Sequence, residues 1–119
     1  MTRAAGARAN RRRGEIEAVI DGEQRILCLT LGALAELETA FSADNLVGLA
    51  ERFSRGQLKA ADMIRIIGAG LRGGGNLYSD QEVAEASIDG GIAGCAVVVG
   101  NLLAATFIGE SAEIAARPL

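Results

Sequence analysis

The longest apolar stretch of the chain runs from residue 90 to residue 109 and contains no charged side chain. Surface helices carry charge on the side that faces water, so such a run predicts a membrane span or a buried helix. On a helical wheel the larger side chains share one face: Ile92, Cys95, Val99, Leu102, Leu103 and Phe107. The other face carries Ala93, Gly94, Asn101, Ala104 and Ala105, with Val97 and Ile108 as larger members. One face can fill a core, and the other lets a second backbone come close.

A membrane span is the alternative for this stretch, which barely reaches the roughly 20 residues that a bilayer requires. Glycines, an asparagine and a threonine interrupt it, both flanks are acidic, and no Trp or Tyr marks an interface. We therefore favour a buried helix over insertion into a membrane.

Two β-prone segments precede the helices, and Asp21-Gly22 joins them. Asp-Gly between such segments is a strong hairpin signal, because glycine accepts the positive φ of a tight turn. Ile16, Ala18 and Ile20 alternate with acidic residues, as a strand with one covered face requires. A lone hairpin is marginal in water, so we expect it to lie on helices or to pair with another chain.

Helical spacing of apolar residues predicts three helices, over about residues 31–41, 46–56 and 60–71. Thr30 caps the first of them, and Ser79 with Glu82 forms a capping box for a short fourth helix over about 80–87. The predicted inward residues are Leu31, Leu34, Leu37, Phe41, Leu46, Leu49, Ala50, Phe53, Met63, Ile64, Ile67 and Leu71. Asp62, Arg65 and Arg72 are predicted to face water.

These elements predict an α+β, mostly helical fold: an N-terminal β-hairpin followed by about five helices around an apolar C-terminal helix. Residues 1–13 have little apolar character and are expected to be a disordered basic arm. Residues 14–109 form a single domain in this interpretation, and residues 110–119 a flexible tail.

The charge is divided unevenly along the chain. The first fourteen residues carry five arginines and no acid, which leaves 7 basic against 15 acidic residues, or −8, on the remainder. An acidic body is a poor surface for nucleic acid, so contact with nucleic acid would depend on the arm. No apolar segment follows the arginines as in a secretory signal, and we expect a cytoplasmic protein.

The residues predict no catalytic, cofactor-binding or metal-binding site. Histidine is absent, which excludes Ser-His and Cys-His catalysis. Cys28 and Cys95 lie in apolar runs and are expected to be free, buried thiols. The carboxylates of residues 15–23 are interpreted as solvent-facing strand residues.

One motif imitates a nucleotide site: residues 68–73 match the pattern GxGxxG. A dinucleotide fold needs a helix that continues from the third glycine, whereas here two more glycines and an asparagine follow. We interpret the motif as a helix end with a glycine stop.

The order of motifs resembles a known family. LTLGALAELETAF at Leu29–Phe41 and IGAGLRGGG at Ile67–Gly75 are its most specific parts, within a likeness over about residues 11–108. The chain resembles the small protein that gene transfer agent clusters of alphaproteobacteria encode just ahead of the tail tape measure, labelled a tail tube protein or a tail assembly chaperone.

The resemblance implies a non-enzymatic tail assembly chaperone that binds the tape measure and recruits tube subunits. A structural tube component is the alternative, although one hairpin is little strand for a ring; a nucleic-acid-binding protein using the arm is a further one. For partner binding we predict the small face of the last helix, at Val97, Asn101, Ala104 and Ile108, and the unpaired hairpin edge. The same face could instead serve self-association, or neighbouring helices of the same chain could cover it.

Overall fold

The computed structural model describes residues 9–10, 13–41 and 47–107. In chain order the elements are β1 (Glu15–Ile20), β2 (Glu23–Cys28), α1 (Leu31–Phe41), α2 (Val47–Ser54), α3 (Ala60–Gly73), α4 (Asp80–Glu85) and α5 (Gly91–Phe107). Within these residues a hairpin is followed by five helices, the last one long and apolar, which confirms the predicted α+β fold. The predicted tail, and the predicted arm apart from residues 9, 10 and 13, lie outside the described residues.

The hairpin forms where the Asp-Gly signal predicts it, with Ile20 opposite Glu23 next to the turn. Asp21 and Gly22 have φ angles of 53° and 80°. Two successive left-handed residues make the type of turn whose twist matches that of the flanking strands. Ile16 and Ile20 are buried on the covered face, as the alternation predicts.

The edge of β1 near the turn is occupied by the chain that leads into α5. The amide of Asp21 donates to the carbonyl of Ser87 at 2.7 Å, and the amide of Ser87 donates to the Asp21 carboxylate at 2.9 Å. The amide of Asp89 donates to the carbonyl of Val19 at 3.2 Å. The predicted unpaired hairpin edge is therefore wrong at this end of β1, because residues 87–89 complete its hydrogen bonds.

The edge of β2 is covered by the end of α3. A Cβ at Gly73 or Gly74 would lie 2.0 Å from the carbonyl oxygen of Cys28 or Ile26, so only glycine allows this approach. The side-chain amide of Asn76 also donates to the carbonyl of Ile26 at 2.8 Å. The close approach of the β2 backbone at both positions explains why a glycine run ends α3 here.

The most completely buried segment is the second half of α3, residues 66–71, every one of which is buried. This half lies between α1, α4, α5 and β2. Gly70 permits the contact with α5, because a Cβ there would lie 2.6 Å from Leu102 Cδ2. The predicted stripe on α3 included Ile67 and Leu71 but missed Ile66, which is 0% exposed. A prediction of one buried face fails here, because this half of α3 is covered by other elements on all sides.

Two helices are exposed at the first turn of their predicted inward faces. Leu31 is predicted to face inward but is 86% exposed, whereas Leu37 is buried as predicted and Ala33 is buried in addition. In α5, Ile92 was placed on the core face but is exposed, whereas Ala105 of the small face is buried. In both cases the first turn extends beyond the layer that covers the rest of the helix.

None of the described helices has the length and the apolar composition that a membrane span requires.

Candidate protein-binding surfaces

The predicted binding face on α5 is partly open. Val97 is 60% exposed, whereas Asn101 and Ala104 are half-buried. Helical spacing brings these three side chains to one side of α5, with the exposed Ala93 one turn before Val97. Ile108 lies outside the described residues. We call residues 93, 97, 101 and 104 the α5 outer face.

The α5 outer face is bounded on one side by α2. The ring of Phe53 packs on Gly100, where a Cβ would lie 2.9 Å from Phe53 Cζ. On the opposite side of α5, Val99 and Leu102 are fully buried. No charged residue lies on α5, so its outer face is neutral as well as partly open. An uncharged, solvent-facing helix side is typical of a surface that another protein covers.

An apolar groove lies between α3, α4 and the start of α5. Its volume is about 220 Å³, and the residues that line it carry no charge. Ile64 and Val83 form part of its wall, while Ile92 and Cys95 bring it to the edge of α5. Burial raises the pKa of the Cys95 thiol, so this thiol stays protonated and is a poor nucleophile.

Arg72 joins three helices, although the sequence predicts that it faces water. Its Nη2 lies 2.5 Å from Glu36 Oε1, and its Nη1 donates to the carbonyl of Tyr78 at 2.7 Å. Nη1 also lies 3.2 Å from Asp80 Oδ1. The hydrogen bond from Arg72 lowers the pKa of Glu36, and the same bond raises the pKa of Arg72. Opposite charges are paired in this cluster, which makes it a structural tie between α1, α3 and α4.

The glycine motif at residues 68–73 lies inside α3 and ends with it. Gly68 and Gly70 are buried in the helix interior. A dinucleotide site needs these glycines before a helix, where free backbone amides meet the phosphates. The interpretation as a helix that ends at glycine is confirmed, and this motif offers no phosphate site.

The hairpin carboxylates and the two cysteines form no catalytic or metal-binding group among the described residues. Glu17 accepts a hydrogen bond from the Gln24 side chain, and Glu23 pairs with Arg25 at 2.7 Å. Both cysteines are free, as predicted, but both are half-buried, whereas the sequence predicts buried thiols. Burial raises the pKa of the Cys28 thiol, and nearby Glu15 adds to the effect. Among the described residues, no group of acidic or cysteine side chains could hold a metal ion.

The most exposed large apolar side chain of the described residues is one that no sequence pattern predicts. Leu77 is 93% exposed, in the connection between α3 and α4. Its signal in the sequence is a single leucine between the glycine stop and the Ser79 cap, in a stretch without helical or strand periodicity. An isolated leucine belongs to no stripe, so pattern analysis does not select it.

A family model described as "Phage tail tube protein, GTA-gp10" matches residues 13–109 of the chain. The matched range includes both strands and all five described helices. No curated protein and no solved structure matches the chain.

Proposed function

Because this chain belongs to the family described as "Phage tail tube protein, GTA-gp10", we propose that it is a non-enzymatic subunit of the tail tube of a phage-like gene transfer agent. The observation that carries the proposal is the family match over residues 13–109, which spans the whole described fold. The protein acts in the cytoplasm by binding other tail proteins.

The α5 outer face supports a protein-binding role. Val97 lies 60% exposed in a helix without charge, on a chain whose residues from 15 onward carry a net charge of −8. A neutral, apolar patch on an otherwise acidic surface favours a protein partner over nucleic acid. The face is the surface through which we propose that α5 meets a neighbouring tail protein.

The second candidate is a tail assembly chaperone that binds the tape measure and recruits tube subunits. One observation favours it: the described residues contain a single two-stranded sheet. Barrel and ring architectures made of strands need more strands than this to close. A chaperone needs only an apolar surface that a client covers and later leaves, and the α5 outer face has that character.

The content of purified particles separates the two roles. Quantitative mass spectrometry would compare the copy number of this chain with that of the tape measure protein in the same particles. We expect many copies per tape measure for a tube subunit. Absence from particles, together with co-purification with the tape measure from producing cells, would replace the tube role by the chaperone role.

Val97→Asp tests the α5 outer face in either role. Ala35→Asp is the matched control, because it adds the same charge on the exposed side of α1. We expect both variants to unfold at nearly the wild-type temperature and only Val97→Asp to lose co-purification with other tail proteins. A folded Val97→Asp protein that still captures its partners would remove this face from consideration.

A further inference from the structure

Leu77 is held rigidly in an exposed position. The residue before it is anchored, since the backbone amide of Asn76 donates to Leu71 and its side-chain amide donates to Ile26. The residue after it is anchored too, because the carbonyl of Tyr78 accepts from Arg72. A leucine that is 93% exposed between two fixed neighbours is pre-organised to enter a pocket on another molecule.

The surroundings of Leu77 carry more acidic than basic side chains. Arg25 lies 5.7 Å from the ring centroid of Tyr78 and is already paired with Glu23. Leu77 shares a shallow depression with Asp21 at the hairpin turn and with Glu82 and Glu85 of α4. Asp21 and Glu82 are also used locally, by the amides of Ser87 and Ser79. A partner for this end of the molecule therefore needs an apolar pocket with a basic rim.

The same chain carries a partly apolar pocket with a basic rim at its other end. A cavity of about 250 Å³ is lined by Leu29, Leu31, Leu34, Ala105, Thr106, Gly14 and Arg13. Its single charged lining residue, Arg13, is exposed and basic. Leu31 on its rim is 86% exposed, second only to Leu77 among the described large apolar residues. We call it the Leu31 cavity.

The two features lie at opposite ends of the hairpin. Asp21 forms the turn, and Gly14 immediately precedes β1, which is 6 residues long. At about 3.4 Å per residue the ends are roughly 20 Å apart, so a chain cannot place its anchored Leu77 in its own cavity.

We propose that this protein associates with itself head to tail, with Leu77 of one copy inserted into the Leu31 cavity of the next. The acidic rim around Leu77 then faces Arg13, so shape and charge agree in one orientation. The contact uses two different surfaces, and repetition of such a contact produces a ring or an open stack. This contact would join neighbouring subunits of the proposed tube. Only its location in the particle rests on the proposed tube role.

Single-residue variants test the contact in the full chain by sedimentation velocity over a series of protein concentrations. Leu77→Asp removes the inserted side chain, and Leu31→Asp places a carboxylate on the rim that meets the acidic end. Both residues are highly exposed, so both variants should fold. We expect each to weaken self-association by roughly tenfold or more. Ala61→Asp, at an exposed position in the first turn of α3 and outside both surfaces, should behave as wild type.

A mixture of the two defective variants tests the head-to-tail geometry. Leu77→Asp keeps its cavity and Leu31→Asp keeps its leucine, so a mixture should form a discrete dimer that neither protein forms alone. A two-fold contact that pairs Leu77 with Leu77, or Leu31 with Leu31, would not restore association in this mixture. A two-fold contact that joins Leu77 to Leu31 twice would stop at a dimer in the wild-type chain too, whereas the head-to-tail contact continues beyond a dimer.

Charge reversal tests the orientation independently. Glu85→Arg and Arg13→Glu should each weaken association, and a chain with both changes should regain it. Glu85 is chosen because Glu82 caps α4 through the amide of Ser79.

A wild-type chain that stays monomeric at every concentration would overturn the proposal, as would a Leu77→Asp protein that associates like wild type. If the chain associates through Leu77 but is absent from particles, the self-association is supported and the tube role is refuted. If Leu77→Asp assembles normal tails and is present in many copies per particle, the tube role is supported and the contact through Leu77 is refuted.

Discussion

Replacement of Gly73 by alanine tests whether the end of α3 is pressed against the hairpin. A Cβ at this position would lie 2.0 Å from the carbonyl oxygen of Cys28 and 3.4 Å from the backbone nitrogen of Thr30. Both atoms belong to the main chain at the end of β2, so neither can move aside by a change of rotamer. The helix or the strand must shift as a unit.

Two effects of opposite sign act in Gly73→Ala. Alanine favours a helix over glycine by about 1 kcal/mol. Overpacking costs about 1–3 kcal/mol when the surroundings must move, and a backbone carbonyl at 2.0 Å places this site at the upper end. We therefore expect the free energy of unfolding to fall by about 1–2 kcal/mol. For a domain of this size, each kcal/mol lowers the melting temperature by about 4–8 °C.

Gly48→Ala is the matched control. Gly48 lies in α2, and a Cβ there meets nothing within 4 Å, so alanine adds only its helix propensity. Urea unfolding followed by circular dichroism should show a lower midpoint for Gly73→Ala, an equal or higher one for Gly48→Ala, and an unchanged slope in both. A Gly73→Ala protein as stable as wild type would refute the close packing of α3 on β2.

Two further changes probe the core and the ion pairs. Leu102→Ala should cost about 2–5 kcal/mol in urea unfolding, because Leu102 is 0% exposed, whereas Ile92→Ala at the exposed start of α5 should change stability by about 0.5 kcal/mol or less. Since Arg72 lowers the folded-state pKa of Glu36, their pairing stabilises the fold above the ordinary glutamate pKa of about 4.3, and this contribution is lost as the pH falls through the folded-state value. The urea midpoint should therefore fall less between about pH 6 and about pH 3 in Arg72→Ala than in wild type; equal slopes would contradict the pairing.

The two proposed surfaces differ in what a partner must supply. The α5 outer face is neutral and mostly small, so it suits close approach of another backbone. The contact at Leu77 depends on one inserted side chain and on charge of opposite sign, so added salt should weaken it. Separate variants at Val97 and Leu77 can therefore assign a partner to each surface.

Much of the fold follows from short-range signals in the sequence. Asp21-Gly22 specifies the hairpin turn, because only a few residues adopt two successive positive φ angles. Ser79 caps α4 through the amide of Glu82 at 3.1 Å, as the capping box predicts. The uncharged run before residue 109 becomes the longest described helix. Each of these signals is read within a few residues, so the sequence by itself determined the order and type of the elements.

Only the tertiary structure decided which side of each element is covered. Leu31 and Ile92 fit their predicted stripes but extend past the layers that bury Leu37 and Val99. The exposure of Leu77 follows from anchors on Ile26 and Arg72, distant in sequence or on another element. Burial depends on which neighbours a helix meets, and periodicity along one segment contains no information about the position of the next. The chain alone thus determined its parts, and packing selected the surfaces left for partners.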